Sequence, residues 1–493
     1  MPASFLFYDL ETFGADPRGS RIAQFAAIRT DLDLNPVEEP IDFLVKPADD
    51  LLPSPGATLV TGLTPQRAEA EGVIEAEAFA RIHEAMARPE TCTLGYNSLR
   101  FDDEFVRCGL YRNFYDPYER EWRGGNCRWD LLDVFRLAHA LRPDGLVWPT
   151  REDGAPSFKL EHLADANGVR EGEAHEALSD VRALIALARR LRQAQPRLWD
   201  YALKLRDKRF CASLLDTIAM RPVLHVSQRF AASRLCAAPV LPLARHPRID
   251  SRVIVFDLEQ DPEPLLTLDA EAIAARLYTP AGQLAEGEAR IALKEVHTNR
   301  CPVLVEWAHL RDADHARLRI DRATVEARAA RLRDAGPPLA EKVRRVFADR
   351  AERVAADPDG ALYDGFIGDA DKALFAKVRS TPPEALGSAP FAFRDPRLPE
   401  LLFRYRARNW PHTLDTEERE RWDAFRRARL TTEGAGAEYT FARFHAELAE
   451  QRQAVAGDAR KRALLDALDA WGRRIAGSLG LACEPVTTTE SRG

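Results

Sequence analysis

At 493 residues the chain is too long for one hydrophobic core, and two to four domains are expected. Its 45% hydrophobic and 30% charged shares exclude a disordered or fibrous class. No charged start with an apolar h-region and no apolar run near 18 residues is present, so neither a signal peptide nor a membrane span is expected.

The net charge of −7 is uneven. Residues 1–190 carry 33 acids against 21 bases, and residues 191–493 carry 44 against 49. An acidic half beside a mildly basic one suits a metal site next to a polyanion groove, although such asymmetry is common. Seven scattered cysteines with no C-x-x-C pair argue against zinc and fit a reducing cytoplasm.

In chain order, "FLFYDLE", "RIAQFAAIRTD" and "IDFLVKP" read as three strands joined by short turns, hence an antiparallel meander. The segments "TPQRAEAEG" and "EAFARIHEAMA" have helical spacing. "TCTLGYN" reads as a buried strand and "FDDEFVRCGLYR" as the helix after it. "RWDLLDVFRLAHALR" and "HEALSDVRALIALARRLRQ" read as amphipathic helices. This order predicts a ribonuclease-H-like α/β domain. Pro196 marks a boundary. Between about 220 and 310, "RPVLHVS", "SRVIVFDLEQ", "RIALKEVHTN" and "CPVLVEWA" read as the short strands of a small β-barrel or sandwich. "AADPDG" at 355–360 reads as a linker, and nearly everything after it as helix. "DPDGALYDGFIGDAD" has the wrong acid spacing for a calcium loop and reads as linker and cap.

The acids are harder to place. Asp9 and Glu11 share one face of a greasy strand, roughly 7 Å apart. Side by side at a buried strand end they repel, and one protonates unless a cation sits between them. A strand end fraying into solvent tolerates them equally. Asp102 and Asp103 follow a buried strand, where they would also serve as helix caps. Asp180 lies on the buried side of its helix, near Ala177 and Leu184, where an acid is costly unless paired or metal-bound. An arginine partner would satisfy it too. His175 stands five residues before it and reads equally as a surface histidine.

D-x-E in the first strand, F-D after a G-x-N strand, and H-x4-D opening a late helix resemble the DEDDh exonucleases. "GYNSLRFDDE", "YRNFYDPYER", "RWDLLDV", "APSFKLEHL" and "AHEALSDV", continued by "PVLHVS", "NRCPVL" and "LLFRYRARNWPHTLD", resemble the exonuclease I family over roughly residues 4–475. The resemblance implies three units with a C-terminal tail: an exonuclease domain over 1–190, an SH3-like β-barrel domain over 196–350, an all-helical domain over 351–476, and a disordered tail over 477–493. It implies a clamp around single-stranded DNA and processive 3′→5′ hydrolysis to 5′-mononucleotides, in DNA repair and recombination.

Under that resemblance Asp9, Glu11 and Asp180 hold one Mg²⁺, and Asp9 with Asp102 a second. Mn²⁺ is able to substitute, and His175 takes the proton of the attacking water. Asp102 is preferred to Asp103 because it directly follows Phe101. The resemblance places Thr61 and Leu63 at the 3′ terminus. It places Arg107, Tyr118, Trp122, Arg136, Lys159, Lys208, Lys294 and Asn299 along the strand; aromatics interleaved with arginines in "YRNFYDPYEREWRGGNCRW" support a stacking surface. Lys159 departs from the family's usual arginine and loses its bidentate fork. Arg142, Tyr201 and Arg333 match positions that dock the acidic C-terminal peptide of single-strand DNA-binding protein. A monomer in the cytoplasm is expected. The competing readings are an RNA-directed or proofreading exonuclease, which the two extra domains disfavour, and an inactive single-strand binding protein, which the complete acid set disfavours.

Overall fold

The computed structural model describes residues 2–170, 172, 176–348 and 357–482. The first unit opens with β1 (Ser4–Thr12), β2 (Ile22–Thr30) and β3 (Ile41–Leu44), paired antiparallel as expected. Helices α1 (Pro55–Thr61), α2 (Pro65–Glu71) and α3 (Glu75–Ala87) follow. β4 (Thr91–Gly95) returns parallel to β1 and leads into α4 (Asp102–Arg112). β5 (Cys127–Asp130) lies parallel to β4, before α5 (Leu132–Leu141), α6 (Leu160–Ala166) and α7 (Ala177–Ala194). The sheet order is β3-β2-β1-β4-β5.

The two-residue period of β1 builds both layers. Phe5 and Phe7 pack with Val134 of α5 and Val181 of α7. Leu6 and Tyr8 pack with Phe79 of α3 and Phe105 of α4. Asp9 and Glu11 continue the odd register, which puts them on the side of α7. Gly95, the last residue of β4, has no room for a side chain, since a Cβ there would stand 2.8 Å from the Tyr8 carbonyl oxygen.

"RWD" proves to be strand rather than the first turn of a helix. Trp129 is buried between Phe5 and Trp199, and the run pairs in register with β4 up to Gly95 and Asp130. Four residues are too few for strand alternation to show against the helical period that follows.

α8 (Pro196–Lys204) begins at Pro196 and lays Trp199 edge-on against Trp129, with centroids 4.9 Å apart. α9 (Lys208–Leu214) leads into β6 (Val223–Val226), β7 (Ala237–Arg245) and β8 (Arg252–Asp257). Then come α10 (Glu263–Thr267), α11 (Ala270–Tyr278), β9 (Leu293–His297) and β10 (Val303–Glu306). These five strands form an antiparallel sheet in the order β10-β6-β7-β8-β9. β7 was not among the expected strands. Its Pro239 and Pro242 read as turn residues, and the ladder to β8 accommodates them with a register shift between Pro242 and Ala244. Helices α12 (Asp312–Leu318), α13 (Arg322–Asp334) and α14 (Gly336–Val346) complete this unit.

The third unit is helical throughout its long elements: α15 (Asp369–Ser380), α16 (Leu398–Asn409), α17 (Thr416–Thr431), α18 (Phe441–Ala454) and α19 (Ala459–Ser478). Residues 357–360 are no linker. Asp359 is buried, bridged by Arg404 at 2.8 Å and by Arg408, which also holds Asp50 of the first unit at 2.7 Å. α19 runs into the segment expected as a tail, and Leu479 is buried in the core of this unit. The rest of that segment, from 483 on, lies outside the described residues. Among the described residues no helix is long and apolar enough to cross a membrane.

Candidate active site

Carboxylate oxygens of Asp9, Glu11 and Asp180 lie within 4.8 Å of one another. β1 supplies the first two and the first turn of α7 the third, with the N-cap Glu176 accepting from the Ser179 N–H at 2.9 Å. A cleft of about 440 Å³ exposes the three together with Asp102, at the start of α4. The Leu10 N–H lies within reach of both Asp9 and Asp102.

Charges this close raise one another. Desolvation, then Asp102, Glu11 and Asp180, hold the Asp9 carboxyl well above its usual range. Burial, then Asp180 and Asp102, push Glu11 up to about 9. Asp102 is likewise held high by burial and by Asp103. Such a set fits a hard divalent cation, which supplies the missing positive charge and prefers carboxylate oxygens. Arg170 reaches Asp180 at 3.2 Å and Asp165 at 2.8 Å, so the arginine partner weighed from sequence is also present.

Asp102 and Asp103 part company. Asp103 faces the opposite layer, where it accepts from Tyr8 Oη at 2.7 Å, Arg120 at 2.6 Å and Arg128 at 2.8 Å. The buried carboxyl is held well below its usual range by those arginines. His175 lies outside the described residues.

Asp130 was not singled out from sequence. Its carboxylate accepts from the backbone N–H groups of Asn97, Leu99 and Leu132 at 3.0–3.2 Å and so fixes the loop that delivers Asp102. The only sequence signal was an acid ending "RWD" just before a helix.

The cleft walls include Tyr96, Phe158, Lys159 and, from the second unit, Gln228. Lys159 is exposed and 3.3 Å from Glu161. A larger cavity of about 810 Å³ adjoins it, sharing Gln228, with Arg100 and Asp133 on one side and His225 and Lys294 on the other. It does not contain the three-carboxylate cluster, which lines the smaller cleft. Lys294 stands 4.4 Å from the Phe230 ring and 2.9 Å from His225 Nε2, and burial brings its ammonium down to about 7.

The other expected strand contacts are dispersed. Trp122 is 66% exposed, and Tyr118 lies half-buried over the Arg107 guanidinium. Arg107 is buried and doubly bonded to Glu121 at 2.7 and 2.9 Å. Arg136 is buried, pairs with Asp133 at 2.6 Å and stacks over Phe158. Lys208 and Asn299 are exposed. Thr61 ends α1 half-buried, and Leu63 is buried with Phe13 and Leu51. Arg142 pairs with Asp314 at 2.7 Å. Tyr201 donates to the Leu304 carbonyl at 2.8 Å, and exposed Arg333 donates to Met220 at 3.2 Å.

Three family models match in sequence: an exonuclease model over residues 6–188, the exonuclease I SH3-like domain over 206–349 and the exonuclease I C-terminal domain over 356–475. The chain belongs to the exonuclease I family. Exodeoxyribonuclease I of Escherichia coli is 46% identical over 475 residues, 96% of this chain and 98% of that protein. A solved structure of exonuclease I from Methylocaldum szegediense superposes with a TM-score of 0.92 at 49% identity, covering 96% of this chain and 99% of that one. The zinc-bound form of an E. coli ExoI–ssDNA complex superposes with a TM-score of 0.91 at 46% identity, covering 96% and 100%. The chain is thus an exodeoxyribonuclease with the exonuclease, SH3-like and C-terminal units of its family, and its exonuclease unit carries an acidic cluster able to hold a divalent metal.

Proposed function

We propose that this exodeoxyribonuclease digests single-stranded DNA processively from the 3′ end to 5′-mononucleotides, at Asp9, Glu11, Asp102 and Asp180. The observation that carries the reading is the three-carboxylate cluster of Asp9, Glu11 and Asp180, which shares one cleft with Asp102 and, from the second unit, Gln228. Two Mg²⁺ ions, or Mn²⁺ in their place, supply an acidified water and neutralise the phosphate when bound. Asp9, Glu11 and Asp180 would hold the first and Asp9 with Asp102 the second. His175 accepts the proton of the attacking water, a role for which an imidazole is suited near neutral pH.

Thr61 and Leu63 meet the 3′ terminus. Tyr118 and Trp122 offer ring faces to bases, and Arg107, Arg136, Lys159, Lys208, Lys294 and Asn299 take phosphates or sugars. The Arg107 guanidinium is also bonded to Glu121 and lies against the Tyr118 ring, so it holds that ring in place while it meets the backbone. Arg142, Tyr201 and Arg333 receive the acidic tail of single-strand DNA-binding protein. The enzyme works as a cytoplasmic monomer in repair and recombination, with units bounded near residues 190 and 350.

End-labelled DNA and RNA oligomers test the reading. Label at the 3′ end of DNA should appear at once as mononucleotide, whereas 5′-labelled DNA should shorten gradually. RNA cut as fast as DNA, or label lost first from the 5′ end, overturns it.

A further inference from the structure

Cys92 and Cys127 are register partners in the parallel pair β4 and β5. Neighbouring strands run about 4.8 Å apart, within the Cα separation a disulfide spans, and register partners point to the same face. Arg206, on the segment joining the first two units, donates to the Cys127 sulfur at 2.9 Å, and the neighbouring Cys92 thiol favours the Cys127 thiolate. Cys127 is half-buried and Cys92 fully buried.

The other thiols of this region are differently placed. Cys211 donates to the Leu205 carbonyl at 2.9 Å and Cys301 to the Arg128 carbonyl at 3.2 Å, and burial raises both. Burial raises Cys92, Cys108 and Cys236 as well. Among the described cysteines Cys127 alone moves down, to about 7, through the Cys92 thiol and then the Arg206 charge. A metal at this sulfur would have to displace the Arg206 guanidinium that already donates to it. Among the described residues Asp9, Glu11 and Asp180 form the one cluster able to hold an ion.

We propose that Cys127 is a peroxide-reactive thiolate, activated by Arg206 and resolved by Cys92 into a reversible cross-strand disulfide. The sulfur attacks the distal peroxide oxygen, the O–O bond breaks, and alkoxide or hydroxide leaves. Cys127 becomes a sulfenic acid, having lost two electrons. The Cys92 sulfur then displaces the hydroxyl, which departs as water with the Cys92 proton, and the S–S bond forms. This site is independent of the nuclease reading.

The test uses the full chain and hydrogen peroxide at pH 7, followed by alkylation under denaturing conditions and peptide mass spectrometry. Two thiols per chain should disappear together as a linked Cys92–Cys127 peptide, and dithiothreitol should restore both. Cys108, Cys211, Cys236 and Cys301 should stay free. Cys92→Ser should leave a sulfenic acid at Cys127 that a dimedone probe traps, and Arg206→Gln should slow oxidation several-fold. In the unmodified chain, alkylation of Cys127 should rise with pH and level off just above about 7, since the thiolate is the reactive form. Oxidation of Cys127 no faster than Cys108 or Cys236 overturns the proposal. So does conversion to sulfinic acid with Cys92 still free, or a plateau at the ordinary thiol range near 8.5.

Discussion

At the scale of single residues the site is tested in two ways, by substitution and by pH. Asp9→Ala and Asp180→Ala should each abolish cleavage while leaving single-strand binding largely intact in an anisotropy titration; a merely halved rate contradicts the ligand assignment. The neighbouring aspartates should separate. Asp102→Asn should lose activity with its fold intact, whereas Asp103→Asn should cost about 3–5 kcal/mol of stability, since it strands the buried Arg120 charge. The second prediction concerns pH. Glu11 is raised to about 9, and Asp9 and Asp102 are raised too. A raised carboxyl contributes stability that is full below its unfolded pKa, near 4.3, and is lost as pH climbs through the folded value. Metal-free protein should therefore weaken from about pH 5 to 9, and Mg²⁺ should raise Tm more at pH 8.5 than at pH 6. Equal increments at both pH values would count against a site built of mutually raised carboxyls. The shared face of Asp9 and Glu11 was legible from strand alternation alone. The different fates of Asp102 and Asp103 were not, because Arg120 and Arg128 reach Asp103 from 17 and 25 residues further on.

Between elements, the helical unit is fastened to the nuclease unit by buried charge. Arg408 of α16 bridges Asp359 and Asp50, and Glu438 accepts from the Ala15 and Asp16 N–H groups in the loop after β1. Gly14 leaves room for that carboxylate, since a Cβ there would meet it. Asp359→Ala should cost about 3 kcal/mol, seen in thermal unfolding, because Arg404 and Arg408 each lose one of their buried counter-charges. Both Asp50 and Asp359 are held below the usual range by arginines. Their contribution is present above the unfolded pKa near 3.9 and is lost only as pH falls through the lower folded values. The meander, α4, α7 and the helical C-terminal elements were readable from periodicity. The strand β5 was too short to show, β7 was disguised by its prolines, and "DPDG" looked like a linker because its arginine partners lie 45 and 49 residues away.

For the whole molecule, the contacts between units decide how the clamp is to be tested. Cutting the chain after the nuclease unit would strip Trp199 from Trp129, Arg408 from Asp50 and Glu438 from the loop after β1. A truncated nuclease unit would thus lose fold and clamp together, and substitutions in the full chain separate them. Affinity for a single strand should fall with salt, with a slope of about −0.7 per phosphate contact. Lys208→Ala should flatten that slope by about one contact's worth, and Lys294→Ala more at pH 6 than at pH 8, where its lowered ammonium is largely neutral; an unchanged slope removes the residue from the path. One experiment reaches metal dependence, direction and processivity together. The full chain is bound to a 5′-labelled single strand in EDTA, then given excess Mg²⁺ and unlabelled trap at the same moment. The account predicts no cleavage before the addition and, after it, a strand shortened from the 3′ end by many nucleotides within the single encounter. Cleavage in EDTA, or the loss of one nucleotide per encounter, would contradict it.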